Sequence, residues 1–166
     1  MKRILIPLLA ALALPTAVNA EYINGGFYSN KVDPMTDESF IILGIRSNEN
    51  KRVELGITCK GGYKIQAVLL TNNVLNETNT IDVRWDKENP KEYFWGSNTS
   101  NRKNFLLGFG GFSGSRQAKK YVKEFREHYS MIVRYPTWVE GTQTVSFDLN
   151  KLHPLINRAE LEGCAF

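Results

Sequence analysis

The chain has 166 residues, with 21 Lys and Arg against 17 Asp and Glu, and it contains two cysteines and two histidines. This length favours a single domain, and an apolar fraction of 42% is enough for one core. Two cysteines exclude a disulfide-dense scaffold, and two histidines leave little for a zinc site built wholly from protein ligands. We therefore expect neither a metal nor a cofactor.

The start of the sequence has the pattern of a secretory signal peptide. Lys2 and Arg3 precede an apolar stretch over 4–14, and the sequence Val-Asn-Ala at 18–20 has small residues at the positions that signal peptidase recognises. As a helix the apolar stretch covers only about 16 Å, whereas a membrane core is about 30 Å thick. We predict cleavage before Glu21 rather than a membrane anchor.

Cleavage would divide the chain into a signal peptide over 1–20 and a single β-rich domain over 21–166. The domain would keep 19 basic and 17 acidic residues, because the signal peptide contains two cations and no acid. Nucleic acid is a poor partner for an exported domain of such low charge. We predict a periplasmic or secreted protein without a membrane span after cleavage.

The cysteines, Cys59 and Cys164, are expected to join in an oxidising compartment. The bridge would close a loop of about 105 residues, worth roughly 4–5 kcal/mol in the chain-entropy model. Two free thiols are the alternative. A redox-active pair would favour Cys-x-x-Cys spacing, which the sequence lacks.

Six apolar runs bounded by turn residues follow a leader over 21–31, and they predict strands. They cover 39–46, 52–59, 63–70, 81–85, 92–95 and 105–107. The second run alternates, which puts Val53, Leu55, Ile57 and Cys59 on one face. Gly61 and Gly62 separate it from the third run, and this pattern is typical of a hairpin.

The period then changes to that of a helix over 115–129. One face carries Ala118, Tyr121, Val122, Phe125 and Tyr129, and the other carries Arg116, Lys119, Lys120 and Lys123. Strand character returns over 131–135 and 144–147, with a turn expected at Pro136. Asn150 is placed to cap a short helix over 151–161.

These elements predict an α+β domain that is mostly antiparallel β and sandwich-like, with one longer amphipathic helix and a short C-terminal helix. No internal repeat and no long linker divides it.

A series of short motifs resembles one family. In order they are Asp33-Pro34-Met35-Thr36-Asp37, Ile57-Thr58-Cys59, Val83-Arg84-Trp85-Asp86, Trp95-Gly96-Ser97-Asn98, Val133-Arg134-Tyr135, Phe147-Asp148-Leu149 and a terminal cysteine. Together, over about 33–164, they are similar to the small periplasmic accessory proteins associated with type VI secretion. The resemblance implies a periplasmic, sheet-rich domain with a Cys59–Cys164 bridge, and it carries no catalytic residues. The glycine expected soon after Phe-Asp-Leu is replaced here by Asn150-Lys151.

A glycine-rich segment over 108–114 precedes the predicted helix and suits two interpretations. It could hold an anion between backbone amides and the helix N-terminus, or it could be a flexible connection capped by Ser113 or Ser115. The spacing matches neither a Rossmann nor a Walker motif, and the connection is the favoured interpretation. The candidate residues for anion or partner binding are Phe109, Gly110, Gly111, Phe112, Ser113, Ser115, Arg116, Lys119 and Lys120.

Aromatic residues suggest a second kind of site. Trp85, Tyr93, Phe94 and Trp95 could stack on sugars, but they lie in strands of which one face must be buried, and this favours core packing. Trp138 follows the expected turn and is predicted to lie outside the core.

Catalytic signals are sparse, because His128 and His153 have no motif partners. We therefore predict no enzyme but an exported binding or accessory protein of the bacterial cell envelope. Its partner would be another envelope protein or a cell-wall polymer, the latter through the glycine-rich segment and the basic helix. A small envelope hydrolase whose site is assembled only in three dimensions is the alternative.

Overall fold

The computed structural model describes residues 20–71, 80–97, 104–107 and 112–166. Within these ranges the helical elements are α1 (Phe112–Glu127), a 3-10 turn (Leu149–Lys151) and α2 (His153–Leu161). The strands are β1 (Glu21–Ile23), β2 (Gly26–Val32), β3 (Ser39–Arg46), β4 (Glu54–Lys60), β5 (Lys64–Leu70), β6 (Thr80–Trp85), β7 (Lys91–Phe94), β8 (Gly96–Ser97), β9 (Asn104–Leu107), β10 (Ser130–Thr137) and β11 (Gly141–Asp148).

The strands form two sheets in which every pairing is antiparallel. The seven-stranded sheet has the order β1-β2-β3-β4-β5-β9-β8, and the four-stranded sheet has the order β11-β10-β6-β7. The protein is thus broadly α+β and mostly antiparallel β, as predicted. The chain passes from one sheet to the other between β7 and β8, through the buried Trp95.

The sheets are also joined at the edge strand β11. The amide of Asn48, in the connection between β3 and β4, donates to the carbonyl oxygen of Ser146 at 2.9 Å. The Glu49 carboxylate accepts from the Ser146 amide at 2.8 Å. Part of this edge is therefore protected from pairing with another strand.

The central strands follow the alternation of the sequence. Val53, Leu55, Ile57 and Cys59 are all buried, as the pattern of the second run predicted. Gly61 and Gly62 have φ values of 59° and 77°, so the turn between β4 and β5 uses a conformation that glycine adopts at low cost.

The first strands were not predicted, and the leader expected over 21–31 is largely paired structure. β2 pairs with β3 along its whole length, from Gly26 opposite Ile45 to Val32 opposite Ser39. The Gly, Ser and Asn residues of β2 have low strand propensity, and tertiary pairing overrides it here.

Both sheets and both helices contribute to one core. Its largest fully buried side chains include Trp85, Trp95, Tyr28, Tyr135 and Phe125. The expectation that Trp85 and Trp95 belong to the core is therefore correct.

Helix α1 begins and ends earlier than the range predicted for a helix, 115–129. Ala118, Val122 and Phe125 are buried in the core. Tyr129, which was expected on the apolar face of this helix, lies beyond its end and is 66% exposed.

Three further local predictions were wrong. Pro136 does not form the turn: it lies within β10 opposite Thr142, and the turn comes later, at 138–140. The pairing of β10 with β6 ends at Arg134, so the missing amide hydrogen of Pro136 removes no hydrogen bond to β6. Asp148, rather than Asn150, caps the 3-10 turn before α2 by accepting from the Asn150 amide. Ser113 and Ser115 were expected to cap α1, but both lie inside the helix, so neither occupies the N-cap position before it.

A disulfide joins Cys59 in β4 to Cys164 beyond α2, across 105 residues. Both half-cystines are buried. Beside the bridge, the Ala165 amide donates to the carbonyl oxygen of Gly62 at 2.8 Å. A Cβ atom on Gly62 would lie 2.7 Å from the Gly163 carbonyl oxygen, so this close approach requires glycine. Among the described residues, no helix is both long and apolar enough to cross a membrane.

Candidate functional site

The residues predicted to bind an anion are only partly described. Phe109, Gly110 and Gly111 lie outside the described residues. Phe112, Ser113 and Ser115 occupy the first turn of α1. Anion binding by the glycine-rich segment therefore stays a prediction. The cationic residues predicted to take part lie further along the helix.

Four cations form a basic stripe along α1, at Arg116, Lys119, Lys120 and Lys123. Their spacing puts them on one side of the helix. Lys123 pairs with Glu127 at 3.6 Å, whereas the other three make no ion pair with a described residue. The first turn contains no acidic residue, so the partial positive charge of the helix N-terminus adds to the stripe.

A polar cluster lies at the opposite end of α1, around Asp86. Asp86 has a φ of 43° and follows β6. One of its carboxylate oxygens accepts from the Tyr129 amide at 3.0 Å, the Ser130 amide at 2.8 Å and the Ser130 hydroxyl at 3.1 Å. The other oxygen lies 3.0 Å from Nδ1 of His128.

These contacts set the charge state of Asp86. Desolvation raises the pKa of its carboxyl group, but the hydrogen bonds from His128, the two amides and the Ser130 hydroxyl outweigh it. The pKa of Asp86 therefore lies below its ordinary value, and the group is ionised at neutral pH.

The imidazole of His128 has a carboxylate beside each ring nitrogen and an aromatic ring against its face. Its Nδ1 faces Asp86, its Nε2 lies 3.3 Å from the Glu124 carboxylate, and its ring stacks on Trp85 with centroids 5.2 Å apart. Because the Ser130 hydroxyl donates to Asp86 rather than to His128, it is not arranged as a nucleophile beside a base. This arrangement anchors the end of α1 to the turn after β6.

The second histidine also makes hydrogen bonds within the fold. Nε2 of His153 lies 2.8 Å from the carbonyl oxygen of Phe125 and 3.1 Å from that of His128. Carbonyl oxygens only accept, so this nitrogen carries the proton. His153 thereby supplies a donor to the C-terminal end of α1, where carbonyl groups lack partners within the helix.

A second polar cluster connects the first strands to α2 through Glu162. One oxygen of Glu162 accepts from the Tyr28 hydroxyl at 2.8 Å and from Nδ2 of Asn30 at 2.6 Å. Its other oxygen accepts from Nε of Arg158 at 2.9 Å. Nη1 of Arg158 donates to the Glu21 carboxylate at 2.6 Å, and its guanidinium lies 4.3 Å from the centre of the Tyr28 ring.

The pKa shifts in this cluster follow from the same contacts. Burial, followed by the hydrogen bond to Glu162, raises the pKa of Tyr28. Desolvation raises the pKa of Glu162, but its hydrogen bonds from Arg158, Tyr28 and Asn30 lower it further, so the net shift is downward. The cluster therefore holds an ionised carboxylate that fixes β2 and α2 together.

The aromatic residues divide between core and surface. Tyr93 packs edge-on against Trp85, with ring centroids 6.4 Å apart, and accepts a hydrogen bond from the indole nitrogen at 3.0 Å. By contrast, Phe94 is 63% exposed, so the core packing favoured for it was wrong: it follows Tyr93 in β7 and points to the opposite face. Trp138 is 58% exposed, as predicted. Both rings lie at the surface, as do those of Tyr22, Tyr63 and Tyr129.

A shallow cleft of about 220 Å³ opens on the four-stranded sheet, with Thr80, Asp82, Glu92, Arg134 and Thr142 among its lining residues. Asp82 stands directly opposite Glu92 in β7 and opposite Arg134 in β10. Its carboxylate lies 3.8 Å from the Arg134 guanidinium. The cleft thus offers hydrogen-bond donors and acceptors, from charged and hydroxyl groups, to a polar ligand.

No group of three or more His, Cys, Asp or Glu side chains in the described ranges is arranged to hold a metal ion. The roles of Asp86, Glu162 and His153 were not predicted, because most of their partners lie 25 to 134 residues away. The local signals were an aspartate after a strand, which is common in turns, and the i,i+4 spacing of Arg158 and Glu162, which is common on helix surfaces.

Comparison with known proteins gives a likeness of fold. No family model matches the sequence, and no similar curated protein was found. Among solved structures, the chain is similar to the invasion associated protein B from Bartonella henselae, with a TM-score of 0.53 and 13% sequence identity. The likeness covers 87% of this chain and 98% of that one. At this identity it shows the shared fold alone.

Proposed function

We propose that the protein is an exported, non-catalytic binding or accessory protein of the bacterial cell envelope. The observation that carries the proposal is the Cys59–Cys164 disulfide, which joins a central strand to the segment after α2. Structural disulfides persist in oxidising compartments such as the periplasm and are rare in the cytosol. The signal-peptide pattern over 1–20 supports the same compartment.

The contacts of the histidines support a role without catalysis. Both ring nitrogens of His128 face carboxylates, and Nε2 of His153 donates to backbone carbonyl groups. A general base needs a nitrogen directed at the substrate. The fold shared with the invasion associated protein, together with the motifs similar to type VI accessory proteins, fits an accessory role in the envelope.

Fractionation of cells that express the whole chain tests the proposal. We expect the protein in the periplasmic or culture fraction, with the mass of residues 21–166 less two daltons for the disulfide. Recovery of the uncleaved, reduced chain in the cytoplasm would contradict export. Turnover of a cell-wall or peptide substrate that is abolished in His128→Gln would contradict the non-catalytic role.

A role in type VI secretion is tested separately. If the resemblance extends to function, deletion of the gene should reduce secretion by this system, and the intact gene should restore it. Secretion unchanged by the deletion would leave the envelope assignment standing without this association.

A second candidate function is binding of an anionic envelope polymer through α1. It is favoured by the basic stripe, in which Arg116, Lys119 and Lys120 have no ion pair with a described residue. The triple variant R116Q/K119Q/K120Q should then lose retention on an anionic polysaccharide column at low salt. Unchanged retention would reject the stripe as the binding surface.

A further inference from the structure

The outer face of the seven-stranded sheet carries a second group of cations, in a row that crosses four strands. Lys31 in β2 stands opposite Phe40 in β3, Phe40 stands opposite Lys60 in β4, and Lys60 stands opposite Lys64 in β5. We call these four residues the lysine row. Neighbouring strands lie about 4.8 Å apart, so the row extends over about 14 Å.

The side chains of the lysine row are turned away from the core. Their sequence neighbours Ile41, Cys59 and Ile65 are fully buried, and successive residues of a strand point to opposite faces. All three lysines are exposed, and Phe40 is 36% exposed between them.

One of the three lysines has a carboxylate partner among the described residues. Lys60 pairs with Glu38 at 3.5 Å, while Lys31 and Lys64 make no ion pair with a described residue. The Lys64 ammonium instead lies 5.7 Å from the centre of the exposed Tyr63 ring. Like charges directly opposite each other on a sheet are destabilising, and Lys60 and Lys64 are such a pair. A bound anion would relieve this repulsion.

We propose that the lysine row binds a linear acidic polysaccharide that lies across the strands. Its acidic groups would pair with the three ammonium groups, and the face of a sugar ring would pack on Phe40, with Tyr63 extending this aromatic surface. The inference rests on the proposed function as an envelope-binding protein and names the class of ligand and the surface.

Two features favour a polymer over other partners. Lysine is depleted at protein–protein interfaces, so a row of three is a poor match for a protein partner. Asp33, Asp37 and Glu38 lie in the turn between β2 and β3, along one side of the row, and a flat anionic bilayer would meet these three carboxylates. A narrow chain that follows the row lies beside this turn instead.

Polygalacturonate is the probe, because each of its sugar units carries a carboxylate. Binding would be measured by isothermal titration at low salt with the purified, oxidised protein, and neutral dextran would be the control. K31Q/K60Q/K64Q should bind polygalacturonate about tenfold more weakly than the native protein, since three exposed ion pairs are lost. The matched variant K51Q/R52Q/K87Q removes the same charge from exposed turns outside both the lysine row and the basic stripe, and it should bind within about twofold of the native protein.

Thermal unfolding of both variants checks that they are folded. We expect K31Q/K60Q/K64Q to melt close to the native protein, because removal of the repulsion between Lys60 and Lys64 offsets the loss of the exposed Lys60–Glu38 pair. A folded lysine-row variant therefore separates loss of the binding surface from loss of the fold.

Other outcomes would overturn the inference in identifiable ways. Equal losses in the lysine-row variant and the matched variant would indicate an effect of overall charge, and loss only in R116Q/K119Q/K120Q would assign binding to the basic stripe. Inorganic polyphosphate binding as tightly as polygalacturonate would contradict the ring contact with Phe40. Binding to phosphatidylglycerol vesicles without binding to polygalacturonate would indicate a lipid surface. Absence of any binding by an exported, oxidised protein would reject the inference while leaving export intact.

Discussion

Nε2 of His153 lies 2.8 Å from the carbonyl oxygen of Phe125, so the residue that opens α2 donates a hydrogen bond to the last turn of α1. The same nitrogen lies 3.1 Å from the carbonyl oxygen of His128. One side chain thus supplies the donor for two backbone groups that α1 leaves without partners in its own helix. The two helices are coupled through this contact.

Replacing His153 with alanine should therefore destabilise the protein. We expect the free energy of unfolding to fall by about 1–3 kcal/mol, since partly buried carbonyl groups lose their donor. His153→Gln is the matched variant, because its amide nitrogen reaches a position similar to that of Nε2. Urea unfolding followed by circular dichroism measures both, and equal losses would show that the hydrogen bond contributes nothing beyond packing.

Asp86 should make the stability of the protein dependent on acidity. Its folded-state pKa is lowered, so its contribution is complete above the unfolded pKa, near 4, and is lost as pH falls through the lower folded value. Asp86→Asn keeps a side chain suited to the positive φ and an acceptor for Ser130, but it loses the charge beside His128. We expect it to cost about 1–2 kcal/mol at pH 7 and less at pH 3.

Asp86→Ala provides the comparison, because it also removes the acceptor of the Ser130 and Tyr129 amides. It should be less stable than Asp86→Asn at both pH values. Urea midpoints of the native protein and both variants at pH 7 and pH 3 give the six numbers required. A constant difference between native protein and Asp86→Asn across this range would contradict the charge argument.

Glu162 should hold β2, and through Arg158 also β1, against α2. Glu162→Gln keeps the size of the side chain but loses the charge that pairs with Arg158, and we expect a loss of about 1–2 kcal/mol in the free energy of unfolding. Hydrogen exchange should accelerate at the amides of β1 and β2. Acceleration spread evenly over the sheet would indicate global destabilisation instead. Glu92→Gln in β7 serves as the surface control, because its exposed carboxylate makes no ion pair with a described residue.

Gly44 should be far less tolerant of a side chain than the glycine directly opposite it, Gly56. A Cβ atom on Gly44 would lie 2.6 Å from both the carbonyl oxygen of Leu55 and the Phe27 ring. On Gly56 the nearest atom would be a methyl group of Val68 at 3.2 Å, which can move. Gly44→Ala should lose about 1–3 kcal/mol, whereas Gly56→Ala should stay within about 0.5 kcal/mol of the native protein. Equal melting temperatures for the two variants would contradict this difference.

Reduction of the disulfide should lower the melting temperature by about 10 °C or more, because the loop of 105 residues regains its freedom in the unfolded state. Differential scanning calorimetry with and without reductant measures the shift. The double variant C59A/C164A should melt near the reduced protein and should not respond to reductant. Unchanged melting of the native protein on reduction would show that the bridge does not restrict the unfolded chain.

The sequence predicted those parts of the fold in which local pattern and burial agree. In β4, alternation located the buried face from Val53 to Cys59, and Gly61 and Gly62 located the following turn. It missed β2, because Gly26 and Asn30 are poor strand formers and become a strand only through pairing with β3.

The polar clusters and the lysine row depend on register and on contacts between distant segments. Glu162 meets Tyr28 across 134 residues, and nothing in either local sequence indicates this pairing. Lys60 and Lys64 were each visible in the sequence, but their alignment with Lys31 follows only from the order of the strands.

The disulfide also has a consequence for the order of events in biosynthesis. Ribosomes add about 5–20 residues per second, so Cys59 emerges roughly 5–20 s before Cys164. Where the chain enters an oxidising compartment during synthesis, the Cys59 thiol has no native partner throughout that interval and can form mixed disulfides with oxidants or other chains. The correct bridge can close only when the last segment arrives, which makes the timing of oxidation, relative to the completion of the chain, a determinant of yield.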